Sequence, residues 1–95
     1  MATEHNLAGA LRKVRKARGL SQEDFSAVSS RTYMSSLERG LKNPTFDKLV
    51  ELCGVMQVHP VTLLTLAYAG SARQADQVLA QARRELEAIL AQADR

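Results

Sequence analysis

Within seven residues the chain carries Ser30, Arg31, Thr32, Ser35 and Ser36, interleaved with the apolar pair Met34 and Leu37. At helical spacing Met34 and Leu37 share the inward face. The guanidinium and the hydroxyls then occupy an exposed N-terminal face. That combination has a recognisable chemistry. An arginine fork can pair with two acceptors on a guanine edge, and small hydroxyl side chains let a helix approach base edges closely. The methyl of Thr32 can meet that of thymine. The free N–H groups at a helix N-terminus attract phosphate. Ser and Thr are indifferent helix formers, so helicity does not explain their clustering here. An ordinary amphipathic surface helix is the alternative, and turn chemistry accounts equally well for Ser29 and Ser30.

The surrounding chain must position this face, and its apolar period is helical almost throughout. Leu7, Ala10, Leu11, Val14 and Ala17 form one stripe, ended by Gly19 after the basic residues Lys16 and Arg18. Residues 21–28 form a short second helix, opened by Ser21 with Asp24 in the capping-box position and turned inward through Phe25 and Val28. Ser30 caps a third helix over residues 31–39, which Gly40 ends. After the loop Lys42-Asn43-Pro44, Thr45 caps a fourth helix with Phe46, Leu49, Val50, Cys53 and Met56 inward. His59 caps a fifth, with Pro60 in its first turn and Leu63, Leu64, Leu66 and Ala67 as its core. Gly70-Ser71 breaks the chain before a long helix over residues 72–93 without Gly or Pro.

Two short helices joined by almost no linker form a helix-turn-helix, whose second helix enters the major groove. The motifs sharpen this. Gly19-Leu20-Ser21-Gln22-Glu23-Asp24-Phe25, then Arg31-Thr32-Tyr33-Met34-Ser35-Ser36-Leu37-Glu38-Arg39-Gly40, then Asn43-Pro44-Thr45 resemble the signature of the XRE/Cro/cI family of helix-turn-helix transcriptional regulators. The resemblance covers roughly residues 7–66. It implies an all-α fold, a five-helix lambda-repressor-like DNA-binding domain, here with a long C-terminal helix added. It implies base reading by Arg31, Thr32, Ser35 and Ser36, and phosphate contacts from Ser21, Gln22, Ser30, Arg39, Lys42 and Asn43. Gln22 would also buttress the reading helix. Arg15 would pair with Glu38, clamping the first helix to the third. Tyr33 can bond a phosphate or pack. This sequence has two residues fewer than most members between the glutamine and the reading helix, which shortens the second helix or tightens the turn.

The long helix has its own pattern. Ala75, Leu79, Ala82, Leu86, Ile89 and Ala93 are spaced 4, 3, 4, 3 and 4 residues apart, a heptad seam. It must be buried somewhere, either on its own domain or against a second chain. Pairing is the preferred expectation, with Leu79, Ala82, Leu86, Ile89 and Ala93 as the homodimer interface. The expected division is a DNA-binding domain over 1–70 and a dimerisation helix over 71–95.

Charge agrees with a nucleic-acid partner. The net charge is +3. Residues 1–44 hold eight Lys and Arg against four Asp and Glu, while residues 45–95 hold five against six. The basic run Arg12, Lys13, Arg15, Lys16 and Arg18 is either a solvated face or a further phosphate contact. Cys53 is alone, so no internal disulfide can form. With His5 and His59 far away in sequence it makes no metal site. No cofactor, catalytic constellation, secretory leader or membrane span is expected. The expected partner is double-stranded DNA, bound as a dimer in the cytoplasm of a bacterial or phage-infected cell. The alternative is a protein-interaction module, or an antitoxin, using the same fold to bind a protein.

Overall fold

The computed structural model describes residues 5–94, all of it helix or connection. Residues 1–4, which enter the leader and charge readings, and Arg95, which ends the expected second domain, lie outside the described residues. The helices are α1 (Leu7–Ala17), α2 (Arg31–Glu38), α3 (Phe46–Met56), α4 (Pro60–Tyr68) and α5 (Ala72–Ala93), with a 3-10 turn, Gln22–Phe25, between α1 and α2. The architecture is the expected five-helix domain followed by a long helix, the 3-10 turn standing in place of the second helix.

Local chemistry accounts for each boundary. Asn6, Ser30, Thr45 and Ser71 each accept a backbone N–H with their side chains at a helix start, and the His59 Nδ1 accepts from Val61 N at 3.0 Å. Helix α1 closes with Gly19 at φ 71°. There Leu20 N–H donates to the Arg15 carbonyl and Gly19 N–H to that of Lys16, each at 3.0 Å, so two orphan carbonyls are satisfied. The end of α3 repeats this geometry with Gln57 at φ 57°, a conformation that costs a side chain about 1–2 kcal/mol.

The second helix is shorter than its sequence pattern predicts. Bonds of the i→i−3 type run from Asp24 N to Ser21 O and from Val28 N to Phe25 O, and residues 26–29 continue as a turn. One i→i−4 bond, from Ser29 N to Phe25 O at 2.9 Å, follows before Ser30 caps α2, in keeping with the shortened second helix that the two-residue deficit implies. Phe25 nevertheless anchors the turn. It is completely buried, which contributes about 1.5–3 kcal/mol.

The core gathers Ala10, Leu11 and Val14 of α1, Phe25, Met34 and Leu37 of α2, Leu49, Leu52, Cys53 and Met56 of α3, and Leu63 and Ala67 of α4. Burial pushes the Cys53 thiol pKa up, so Cys53 behaves as a small hydrophobe. Three expected core residues stand outside. Phe46 is 71% exposed, Val50 41% and Leu64 37%. The first turn of α3 overhangs the core, Val50 lies beside the buried stripe, and Leu64 flanks Leu63 on the side toward solvent. Helix α4 leaves α3 at 102° and, among the described residues, no single helix is long and apolar enough to cross a membrane.

Candidate nucleic-acid interface

Helix α2 is held by polar contacts as much as by its core residues. Arg15 Nε donates to Glu38 Oε2 at 2.6 Å, and Arg15 Nη2 to Glu38 Oε1 at 2.9 Å. The two side chains are only 12% and 4% exposed. The hydrogen bond to Glu38 raises the Arg15 pKa further above its ordinary value, the carboxylate charge adding to this against the opposing effect of burial. Arg15 Nη1 also donates to the Leu20 carbonyl at 2.9 Å, and Gln22 Nε2 to Glu38 Oε1 at 3.3 Å. One carboxylate therefore ties α1, the 3-10 turn and α2 together. This bidentate fork is geometrically specific, so it fixes the direction of α2 as well as its position.

From this clamp the helix presents its N-terminal end outward. Arg31 and Thr32 are exposed, while Ser35 and Ser36 are half-buried. The expectation that all four lie on an open face is corrected accordingly. Eight residues give barely two turns, and Ser35 and Ser36 sit directly between the buried Met34 and Leu37. Ser30 accepts Tyr33 N–H at 3.1 Å as the helix cap. Its hydroxyl proton is still available to a phosphate oxygen.

The expected phosphate residues divide by environment. Arg39, Lys42 and Asn43 are exposed where α2 ends and the loop to α3 begins. The Lys42 ammonium lies 5.7 Å from the Tyr33 ring centre, within cation–π range, which joins loop and helix. Ser21 is exposed, but its N–H and hydroxyl both point to the Asp24 carboxylate, at 2.7 and 3.2 Å. Gln22 is half-buried and turned toward Glu38, the direction expected of a buttress. Of the basic run, Arg12, Lys13, Lys16 and Arg18 are exposed, whereas Arg15 is committed to Glu38.

One positioning contact is absent from the sequence expectations. The Lys48 ammonium of α3 donates to the Val28 carbonyl, in the tight turn just before Ser30. It also pairs with Glu51 at 3.0 Å. The shortened turn is thus braced from α3. A signal was present: a cation in the first turn of a helix opposes the macrodipole, so Lys48 needs a compensating acceptor.

At the other end of the molecule, α5 contains no buried residue. Leu79 is 45% exposed, Leu86 56%, Ile89 57% and Leu90 59%. Ala82 and Ala93 are exposed as well. Ala75 and Leu79 border α4, and beyond them the seam residues are exposed on one side of the helix.

Comparison with known proteins places the geometry. Residues 11–63 match the helix-turn-helix family, a span from the middle of α1 into α4 that includes the clamp. The chain is 46% identical over 55 residues to the HTH-type transcriptional regulator y4dJ of Sinorhizobium fredii, covering 56% of this chain and 71% of that protein. Its fold is similar to that of the restriction-modification controller protein C.AhdI from Aeromonas hydrophila, with TM-score 0.57 and 30% identity over 60% of this chain and 89% of that one. It is also similar in fold to the clp gene regulator ClgR from Corynebacterium glutamicum, with TM-score 0.59 and 24% identity over 92% of this chain and 88% of that one. With the N-terminal end of a clamped α2 exposed, and the family match spanning the elements that hold it, the chain belongs to the XRE/Cro/cI-type helix-turn-helix family of DNA-binding transcriptional regulators.

Proposed function

We propose that this protein binds a palindromic operator as a homodimer and represses transcription, with α2 of each subunit in a major groove. Arg31 and Thr32 contact base edges directly. Ser35 and Ser36 line the closest approach behind them. Ser30, Arg39, Lys42 and Asn43 contact the phosphates on either side and set the register of the helix, and Ser21 and Gln22 join them on exchanging their bonds to Asp24 and Glu38 for phosphate. Residues 1–70 form the DNA-binding unit, residues 71–95 the dimerisation helix, and the protein works in the cytoplasm as a binding protein without catalysis. A single reading helix touches only a few base pairs. Two-fold pairing brings two of them to half-sites about one helical turn apart.

The observation that carries this is the clamp. A buried ion pair holds a helix whose free end is an arginine and a threonine, and neither contributes to the core. The likeness to C.AhdI, a controller protein, supports a small regulator of this kind. The experiment is selection of binding sequences from random duplex DNA by the purified protein. Recovery of an inverted repeat with half-sites about 10 base pairs apart is the expected result. Recovery of no preferred sequence would reject the assignment and favour a protein partner.

A further inference from the structure

The face of α5 that lies against α4 continues past the end of α4. Ala75, Val78, Leu79 and Ala82 border two adjoining depressions of about 310 and 190 Å³, whose opposite wall is α4. On that wall Val61 is 50% exposed, Leu64 37% and Tyr68 47%. Residues 80–93 of α5 are all exposed, and Leu86 and Ile89 follow Ala82 at helical spacing on the same side. The polar side needs no partner, because Arg83 pairs with Glu87 at 3.1 Å and Gln81 bonds Glu85 at 3.2 Å. The proximal half of the seam is thus already turned toward its own domain, and only the distal half is free.

We propose that the distal half of α5, through Leu86 and Ile89, docks into the α4–α5 groove of a second copy, and that the exchange is reciprocal. This rests on the dimer reading above and specifies its geometry. The two α5 helices cross antiparallel near Ala82, whose small side chain permits close approach. Area favours this over side-by-side seam pairing. Three large seam residues remove at most about 100 Å² each, well short of the ~800 Å² per partner of a stable interface. Adding the α4 wall and Leu90 brings the buried surface toward that value. Each copy also supplies both halves of the contact, the groove and the side chains that fill it, as a two-fold interface requires.

Cysteine cross-linking on the full chain tests this. Cys53 is 1% exposed and adds little background. Chains carrying Val61→Cys, mixed with chains carrying Ile89→Cys and oxidised, are expected to give a disulfide-linked heterodimer. Ile89→Cys alone is expected to link poorly, since antiparallel crossing separates the two sites by about 21 Å along the helices. Efficient Ile89→Cys self-linking, or a dimer in solution with no mixed link, overturns the exchange while leaving the dimer intact. A monomer by light scattering at the same concentration overturns both. Val61→Glu provides a second readout. It sits on an exposed site, so the fold is retained, and loss of the dimer is expected. A persistent Val61→Glu dimer contradicts the groove assignment.

Discussion

The reading unit and the C-terminal helix solve opposite problems. In the unit built from α1, the 3-10 turn and α2, Leu11, Phe25, Met34 and Leu37 are buried and each polar group of the clamp has a partner. Helix α5 has helix-forming residues, a side-chain cap and an internal ion pair, yet none of its residues is fully buried. The first region is complete in one chain. The second is fully specified as a helix but unfinished as a surface, which is how a segment looks when a partner supplies its other half. Mutations in the first region should therefore lower the stability of the single chain. Mutations in the second should change assembly and leave that stability alone.

The sharpest break of this contrast is at the clamp. Arg15→Ala leaves Glu38 charged and nearly buried, and removing one partner of such a pair costs about 3–5 kcal/mol. Denaturant melts should show that loss, without a change in oligomeric state at concentrations where the protein stays folded. The complementary change is Leu86→Asp with Ile89→Asp. Both sites are more than half exposed, so the melt of the single chain should be unchanged. Operator affinity should fall by about 10²–10⁴-fold as avidity is lost. An unchanged dimer by light scattering would show that α5 is not the interface.

Two smaller effects sharpen the first half of the comparison. Lys48→Met keeps the aliphatic stem and removes the brace on Val28, and one hydrogen bond of this kind contributes about 0.5–1.5 kcal/mol. Binding to operator should weaken several-fold, with the salt dependence of binding unchanged. A salt slope reduced by about one would make Lys48 a phosphate ligand instead. Gln57→Gly should stabilise the chain by about 0.5 kcal/mol. It relieves a left-handed side chain at some cost in unfolded-state entropy, and a thermal melt will show the sign.

Much of this was legible before any coordinates. Caps at Ser30, Thr45 and His59, the stop at Gly19 and the break at Gly70-Ser71 follow from local rules that act within one turn. Arg15–Glu38 was legible only through the resemblance, since the residues are 23 apart in sequence and no periodicity joins them. Phe46 and Leu64 were misjudged because a stripe read from spacing has no edges, whereas a core does. The helical pattern of residues 21–28 gave no sign of a 3-10 turn, but the two-residue deficit before Ser30 already implied a shorter second helix or a tighter turn. For Lys48 the sequence signalled a cation in need of an acceptor but not which one, because the acceptor is a backbone carbonyl, which carries no residue identity. The heptad seam gave the expectation that α5 is covered, and only the groove along α4 suggested by what.

The central claim is that α2 reads sequence from its free end while the loop after it holds the backbone. Arg31→Ala and Lys42→Ala, each titrated with salt on the selected operator and on random duplex, test it directly. Arg31→Ala should lose about 1–3 kcal/mol on operator and little on random DNA. Lys42→Ala should weaken binding to both and reduce the salt slope by about one. Equal losses on both DNAs for Arg31→Ala would contradict the account, because a guanidinium that treats all sequences alike is holding phosphate and not reading bases.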